Sequence, residues 1–190
     1  MKFGFITGSI FFSYIMMYNL YAQTYIDDSL AVRAILDANN LITTSVESVT
    51  DSCNGRITKL DIYSQAMTTL PAAIGKLDAL DTLDLRGCRL QCLPEEIGKL
   101  SKLEVLAISR NPQLTDLPDG IKNLQNLIFF HYNGCNLTSL PLVITHLTSL
   151  EILWLSCNKI IVLPPEIGNL KSLTVLWVDS NSLSELPQEI

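Results

Sequence analysis

The chain has 190 residues, 48% of them apolar, and its 13 basic against 19 acidic side chains give a formal charge of −6. That length fits one domain or an elongated array with ample material for a core. The acidic balance argues against nucleic acid or an anionic membrane surface as a partner.

Residues 1–22, MKFGFITGSIFFSYIMMYNLYA, hold one lysine followed by an apolar run from Phe3 to Leu20. This reads as an export signal cleaved after Ala22, so the protein is expected to be secreted or at the cell surface. The alternative is an uncleaved anchor through residues 3–20, and a membrane is expected only in that case. The polar QTYIDDS that follows, without a Lys or Arg cluster, favours cleavage.

Residues 23–56 are expected to form a capping helix and a junction. In DDSLAVRAILDANNL, Asp28 or Ser29 caps the helix start, Leu30, Ala34, Ile35 and Leu41 mark one side, and Asn39 and Asn40 lie near the end. Such a helix covers a sheet edge that would otherwise stand open.

From Ile57 to Ile190 the chain is periodic. Six units follow one another, typified by LDTLDLRGCRLQCLPEEIGKLSK, and the last of them is incomplete. The third position of the LxL element falls at Ile62, Leu85, Ile108, Tyr132, Leu155 and Val178, giving steps of 23, 23, 24, 23 and 23. The extra residue lies in NPQL at 111–114. No single unit buries enough apolar surface to offset its own ordering entropy, so the units must stack.

LxL alternation predicts a short strand. Asn111, Asn158 and Asn181 are expected to bond the backbone of neighbouring turns, while Gln65, Cys88 and Cys135 replace that residue in the first, second and fourth units and loosen them. The LP step ends the inward run. The xxIGxL that follows predicts a short helical or 3-10 turn, which the glycine is expected to terminate.

Five cysteines make an odd number without small-scaffold spacing. Cys88 and Cys135 are expected to be buried thiols, and Cys53, Cys92 and Cys157 stay unassigned. The last unit exposes Leu183, Leu186 and Ile190 with no polar cap. The expectation is either a longer gene or an edge covered by a partner.

The pattern LxxLxLxxNxLxxLPxxIGxL resembles the leucine-rich repeat, and its LPxxIGxL tail is similar to the subclass found in plant intracellular Ras-group and animal Ras-suppressor-like repeat proteins. SCNGRITKLDI resembles the junction between cap and first strand in plant extracellular leucine-rich repeat proteins, with a single cysteine, Cys53, where those have a pair. The resemblance implies an α/β repeat solenoid. It would be a right-handed superhelix with a parallel concave sheet and short turns on the convex side, serving as a recognition scaffold.

Residues flanking the inward positions of LxL face outward onto that sheet. The middle column reads Asp61, Asp84, Ala107, His131, Trp154 and Trp177. Beside it run Lys59, Thr82, Val105, Phe129, Ile152 and Val175 on one side, and Tyr63, Arg86, Ser109, Asn133, Ser156 and Asp179 on the other. The lower three strands therefore carry one apolar and aromatic patch.

Such patches mark interaction sites, and tryptophan is enriched among binding hot spots. Phe129, His131, Trp154 and Trp177 are the expected anchors, with Asp84, Arg86 and Asp179 orienting the ligand. The partner is expected to be another protein, with a cell-surface glycan or a purely structural stiffening role as rivals. Asp61 and Asp84 lie side by side, where Lys59 and Arg86 relieve repulsion and a bound cation is the sharper alternative. The NLT at 136–138 is a glycosylation sequon. Neither HExxH, GxSxG nor a phosphate loop is present, and a His131–Cys157 pair lacks an orienting third group. No enzyme activity, cofactor or metal is expected.

Overall fold

The computed structural model describes residues 8–190. Helix α1 (Gly8–Asp37) is the first described element, and a seven-stranded sheet follows in strict sequence order. Its strands are β1 (Thr50–Cys53), β2 (Arg56–Asp61), β3 (Thr82–Asp84), β4 (Val105–Ala107), β5 (Phe129–His131), β6 (Ile152–Trp154) and β7 (Val175–Trp177). β1 pairs antiparallel with β2, and every later pair is parallel. This is an α/β repeat solenoid with parallel crossovers, which take the right-handed sense.

The cap differs from the sequence expectation in three ways. α1 runs unbroken through Ala22 and Asp28, so neither Asp28 nor Ser29 is an N-cap. Its buried stripe is Asp28, Ala31, Val32, Ile35, Leu36 and Asn39, whereas Leu30 and Ala34 are exposed. Spacings of three and four keep that stripe on one face, and packing against the first repeat selects it. Between helix and first repeat lies a hairpin: Asn54 and Gly55 both take positive φ, 51° and 71°, the two-residue turn that suits an antiparallel pair. β1 thereby pairs with the first strand and occupies its edge.

The expected leader begins at residues 1–7, which lie outside the described part. Residues 8–22 continue the same helix, with Met16, Tyr18 and Leu20 exposed. Among the described residues no helix is long and apolar enough to cross a membrane.

Opposite the sheet sit five 3-10 turns: Ala72–Lys76, Glu95–Lys99, Asp119–Asn123, Leu142–His146 and Pro165–Asn169. Each starts after a proline with extended backbone, and each buries its isoleucine: Ile74, Ile97, Ile121, Ile144 and Ile167. Proline presets the entry, and the single inward isoleucine asks for one tight turn only. The glycines do not terminate these turns, as the sequence suggested. Gly98 lies inside its turn, where an added Cβ would stand 2.5 Å from the Gly120 carbonyl oxygen of the next turn. It is small so that adjacent turns can approach.

The ladder residues behave as the repeat demands. Asn158 Nδ2 donates to the carbonyls of Tyr132 and Leu155, both at 2.9 Å. Its Oδ1 accepts the N–H groups of Cys135 at 2.8 Å and Leu137 at 3.2 Å. Asn111 two turns earlier and Asn181 one turn later make the same two carbonyl contacts and accept one N–H each, from Leu90 and Ile160. Cys88 and Cys135 are buried and supply only a thiol, directed at the carbonyls of Ile62 (3.3 Å) and Ile108 (3.5 Å). A thiol replaces the strong donor and acceptor of the asparagine amide with a weak one of each.

Burial pushes both thiols up to about 11 from the usual value near 9. The unfolded chain therefore releases these protons first, and stability is full below pH 9 and declines as pH rises towards 11. About 1–3 kcal/mol per thiol is expected to be lost across that window. Burial also raises the Tyr132 phenol, which adds a loss of the same sign at still higher pH. Denaturant unfolding at pH 8, 9 and 10 checks this, and the paired change Cys88→Ala with Cys135→Ala should flatten the curve between pH 9 and 10.

Candidate functional site

Strand register brings the middle column together. Asp61 pairs with Asp84, Asp84 with Ala107, Ala107 with His131, His131 with Trp154, and Trp154 with Trp177. Five parallel pairings in constant register mean that one alternation rule serves every repeat.

On the lower strands the rings form a continuous group. Trp154 and Trp177 lie in a parallel stack, 4.5 Å between centroids and 3° between planes. Phe129 and His131 each meet Trp154 edge-on, at 4.8 Å and 4.6 Å. These are favoured aromatic geometries. Trp154 is half-buried between its neighbours, while Trp177 on the last strand is 50% exposed. All four expected anchors are thus contiguous.

The three expected orienting residues are dispersed. Asp84 is buried, and its carboxylate accepts both Nε (2.9 Å) and Nη2 (2.5 Å) of Arg86 as well as the Arg86 backbone N–H (3.0 Å). Its charge is spent within the chain and serves to hold Arg86. The Arg86 guanidinium also lies 5.2 Å over the Tyr63 ring. Asp179 is exposed at the far end and accepts the Ser156 hydroxyl. Lys59 reaches Asp61 at 3.8 Å, so each of the paired aspartates has its own cation.

Between these ends a concavity of about 390 Å³ opens among Tyr63, Arg86, Ser109, Arg110, His131 and Asn133, with Gly134 and Cys157 completing its wall. The aromatic and charge pattern of the sequence does not mark Arg110, Asn133 and Cys157 as binding residues. Asn133 and Ser109 belong to the same column as Arg86, and this recurrence was the available signal. Arg110 and Cys157 occupy the left-handed position before the ladder residue, with φ of 59° and 58°. That turn geometry swings them to the rim, and single-strand alternation does not foretell it.

Asn133 Nδ2 meets His131 Nε2 at 3.1 Å. With the amide as donor, the neutral ring carries its proton on Nδ1. Burial lowers the His131 pKa, and the nearby charges of Arg86 and Arg110 lower it further, so the ring is neutral at pH 7. Asn133 Oδ1 and Trp154 Nε1 are buried without any hydrogen-bond partner. Among the described residues no group of His, Cys, Asp and Glu has the arrangement to hold a metal ion.

Two family models match the chain: a leucine-rich repeat region over residues 56–135 and a two-copy leucine-rich repeat model over residues 148–188. No curated protein matches it. Among solved structures, a plant ice-binding protein is 26% identical, with 83% of this chain and 56% of that one covered and a TM-score of 0.68. The Arabidopsis receptor kinase HAESA, solved with the peptide hormone IDA and the co-receptor SERK1, is 28% identical, with 70% of this chain and 23% of that one covered and a TM-score of 0.56. The chain thus spans about half the length of the first and about a quarter of the second.

Proposed function

The chain belongs to the leucine-rich repeat family, with a cap like that of the plant extracellular members, and from that premise we propose that it is an exported, non-catalytic module recognising another protein through its concave face. The observation that carries this reading is the ring cluster of Phe129, His131, Trp154 and Trp177, which leaves Trp177 half exposed on the sheet. A large aromatic surface of this kind is costly to leave in water and gains most when a partner covers it. HAESA, a structural neighbour, was solved with a peptide and a protein partner. The ice-binding protein contributes the fold alone. Export rests on the composition of residues 1–22.

The test is selection of displayed random peptides on the immobilised protein. Binders are expected, and Trp154→Ala with Trp177→Ala should abolish capture while leaving the thermal transition in place. Trp177→Ala alone, on the exposed last strand, should weaken capture at least tenfold without loss of fold. Capture indifferent to both changes would reduce the ring cluster to a stiffener of the sheet. Competition by soluble cell-wall polysaccharide, with no peptide selected, would replace the protein partner by a glycan.

A further inference from the structure

Three side-chain atoms among the described residues are buried without a hydrogen-bond partner: Ser29 Oγ, Asn133 Oδ1 and Trp154 Nε1. Two of the three belong to the concave face. They are near neighbours there, because Asn133 contacts His131 and the His131 ring lies 4.6 Å from that of Trp154. A buried polar atom left unpaired is unfavourable, and native chains seldom keep two together without a purpose. One of the two is an acceptor and the other a donor. One residue of an extended peptide offers the complementary pair on a single side, its N–H for Asn133 and its carbonyl for Trp154.

The charge beside them is positive although the chain as a whole carries −6. Arg86 is balanced by the buried Asp84 but leaves Nη1 without a partner among the described residues. Arg110 forms no ion pair among the described residues and lines the same concavity. The balance is one net positive charge, which matches one carboxylate better than a doubly charged phosphate. Arginine presents a planar fork suited to that group.

We infer that the concavity between Arg86, Arg110, His131 and Asn133 is the subsite for a single carboxylate side chain of an extended acidic peptide, whose neighbouring apolar side chains lie on the Trp154–Trp177 stack. This rests on the reading of the concave face as a recognition surface and names the chemistry of its ligand. Asn133 and Trp154 engage the peptide backbone, Arg110 the carboxylate, and the ring stack the flanking side chains. A carboxylate there offsets the field that depresses the His131 ring, so binding also raises the pH at which that ring takes up its proton.

The test compares two capped tripeptides, N-acetyl-Leu-Glu-Leu-amide and its glutamine counterpart, by NMR titration of the full chain at about 50 mM salt, where charge is weakly screened. The glutamate peptide is expected to bind about tenfold more tightly. It should shift the Trp154 indole N–H resonance and move the His131 titration to higher pH. Arg110→Gln, with an unchanged thermal transition, should erase the difference between the two peptides. Equal affinities in the unaltered protein, a preference that survives Arg110→Gln, or no binding of either peptide at millimolar concentration would each overturn the inference. Equal affinities that vanish in Trp177→Ala would leave recognition by the concave face standing and remove only its acidic preference.

Discussion

Replacing Asn158 with alanine is expected to lower stability by about 3–4 kcal/mol. Four hydrogen bonds end at once, to the carbonyls of Tyr132 and Leu155 and from the N–H groups of Cys135 and Leu137, and the site is buried. Water cannot replace them there, so each stranded backbone group carries its own desolvation penalty. Asn158→Cys should cost less, because Cys88 and Cys135 show that the fold accepts a thiol donor in this place. Denaturant unfolding gives the totals. Hydrogen exchange should show protection falling first in β7, since a stacked array is held by nearest-neighbour interfaces. A loss below about 1 kcal/mol would mean that leucine packing, and not the amide, fixes the turn.

Asp28→Ala in α1 should cost about 3 kcal/mol. The Asp28 carboxylate accepts Nε (2.9 Å) and Nη2 (3.2 Å) of Arg56 together with the Ile57 backbone N–H (2.9 Å), and its side chain is 4% exposed. It thus joins the helix to the first residues of β2. Its removal strands a buried N–H and half of an ion pair. Asp28→Asn keeps an acceptor for Ile57 and should cost roughly half as much. Arg56 also meets Asp78, but that side chain is 64% exposed. Asp78→Ala should therefore change stability by less than about 1 kcal/mol. Equal effects from Asp28 and Asp78 in thermal unfolding would contradict this ranking by burial.

A second clamp ties the helix end to the solenoid. Asn39 donates to the carbonyls of Ile35 (2.9 Å) and Thr69 (2.8 Å) and accepts the N–H groups of Thr68 and Thr69. It gives the first turn the kind of bonding that Asn158 gives later ones. The sequence marked Asn39 only as lying near a helix end. Its partners Thr68 and Thr69 lie 29 and 30 residues away, so nothing local could disclose them. The Asn54–Gly55 hairpin differs: an Asn-Gly pair is a local hairpin signal, and it stands just before the first repeat.

Much of the candidate face was legible for the same reason the fold was. A constant repeat with period-two strands fixes which residue faces the sheet surface in every unit, and register then sets Trp154 beside Trp177 and His131 beside Trp154. Asp84 and Asp179 have the exposure and partners of residues already engaged within the chain to different degrees. Asp84 is enclosed by Arg86, and Asp179 stays open beside Ser156. Charge type is visible in a sequence, but whether a neighbouring cation has already neutralised it depends on side-chain conformation.

Periodicity alone specifies the repeat, its parallel sheet, the proline-led turns, the asparagine ladder and the column order of the concave face. Each follows from periodicity acting within a unit or between identical units. Long-range packing settles the rest: which stripe of α1 is buried, that Asp28 and Asn39 fasten the cap, and that Gly98 is small to let the next turn approach. The same is true of the concavity where Arg86 and Arg110 gather around His131 and Asn133. These depend on contacts between non-equivalent residues far apart in the chain, and for such contacts a repeat carries no rule.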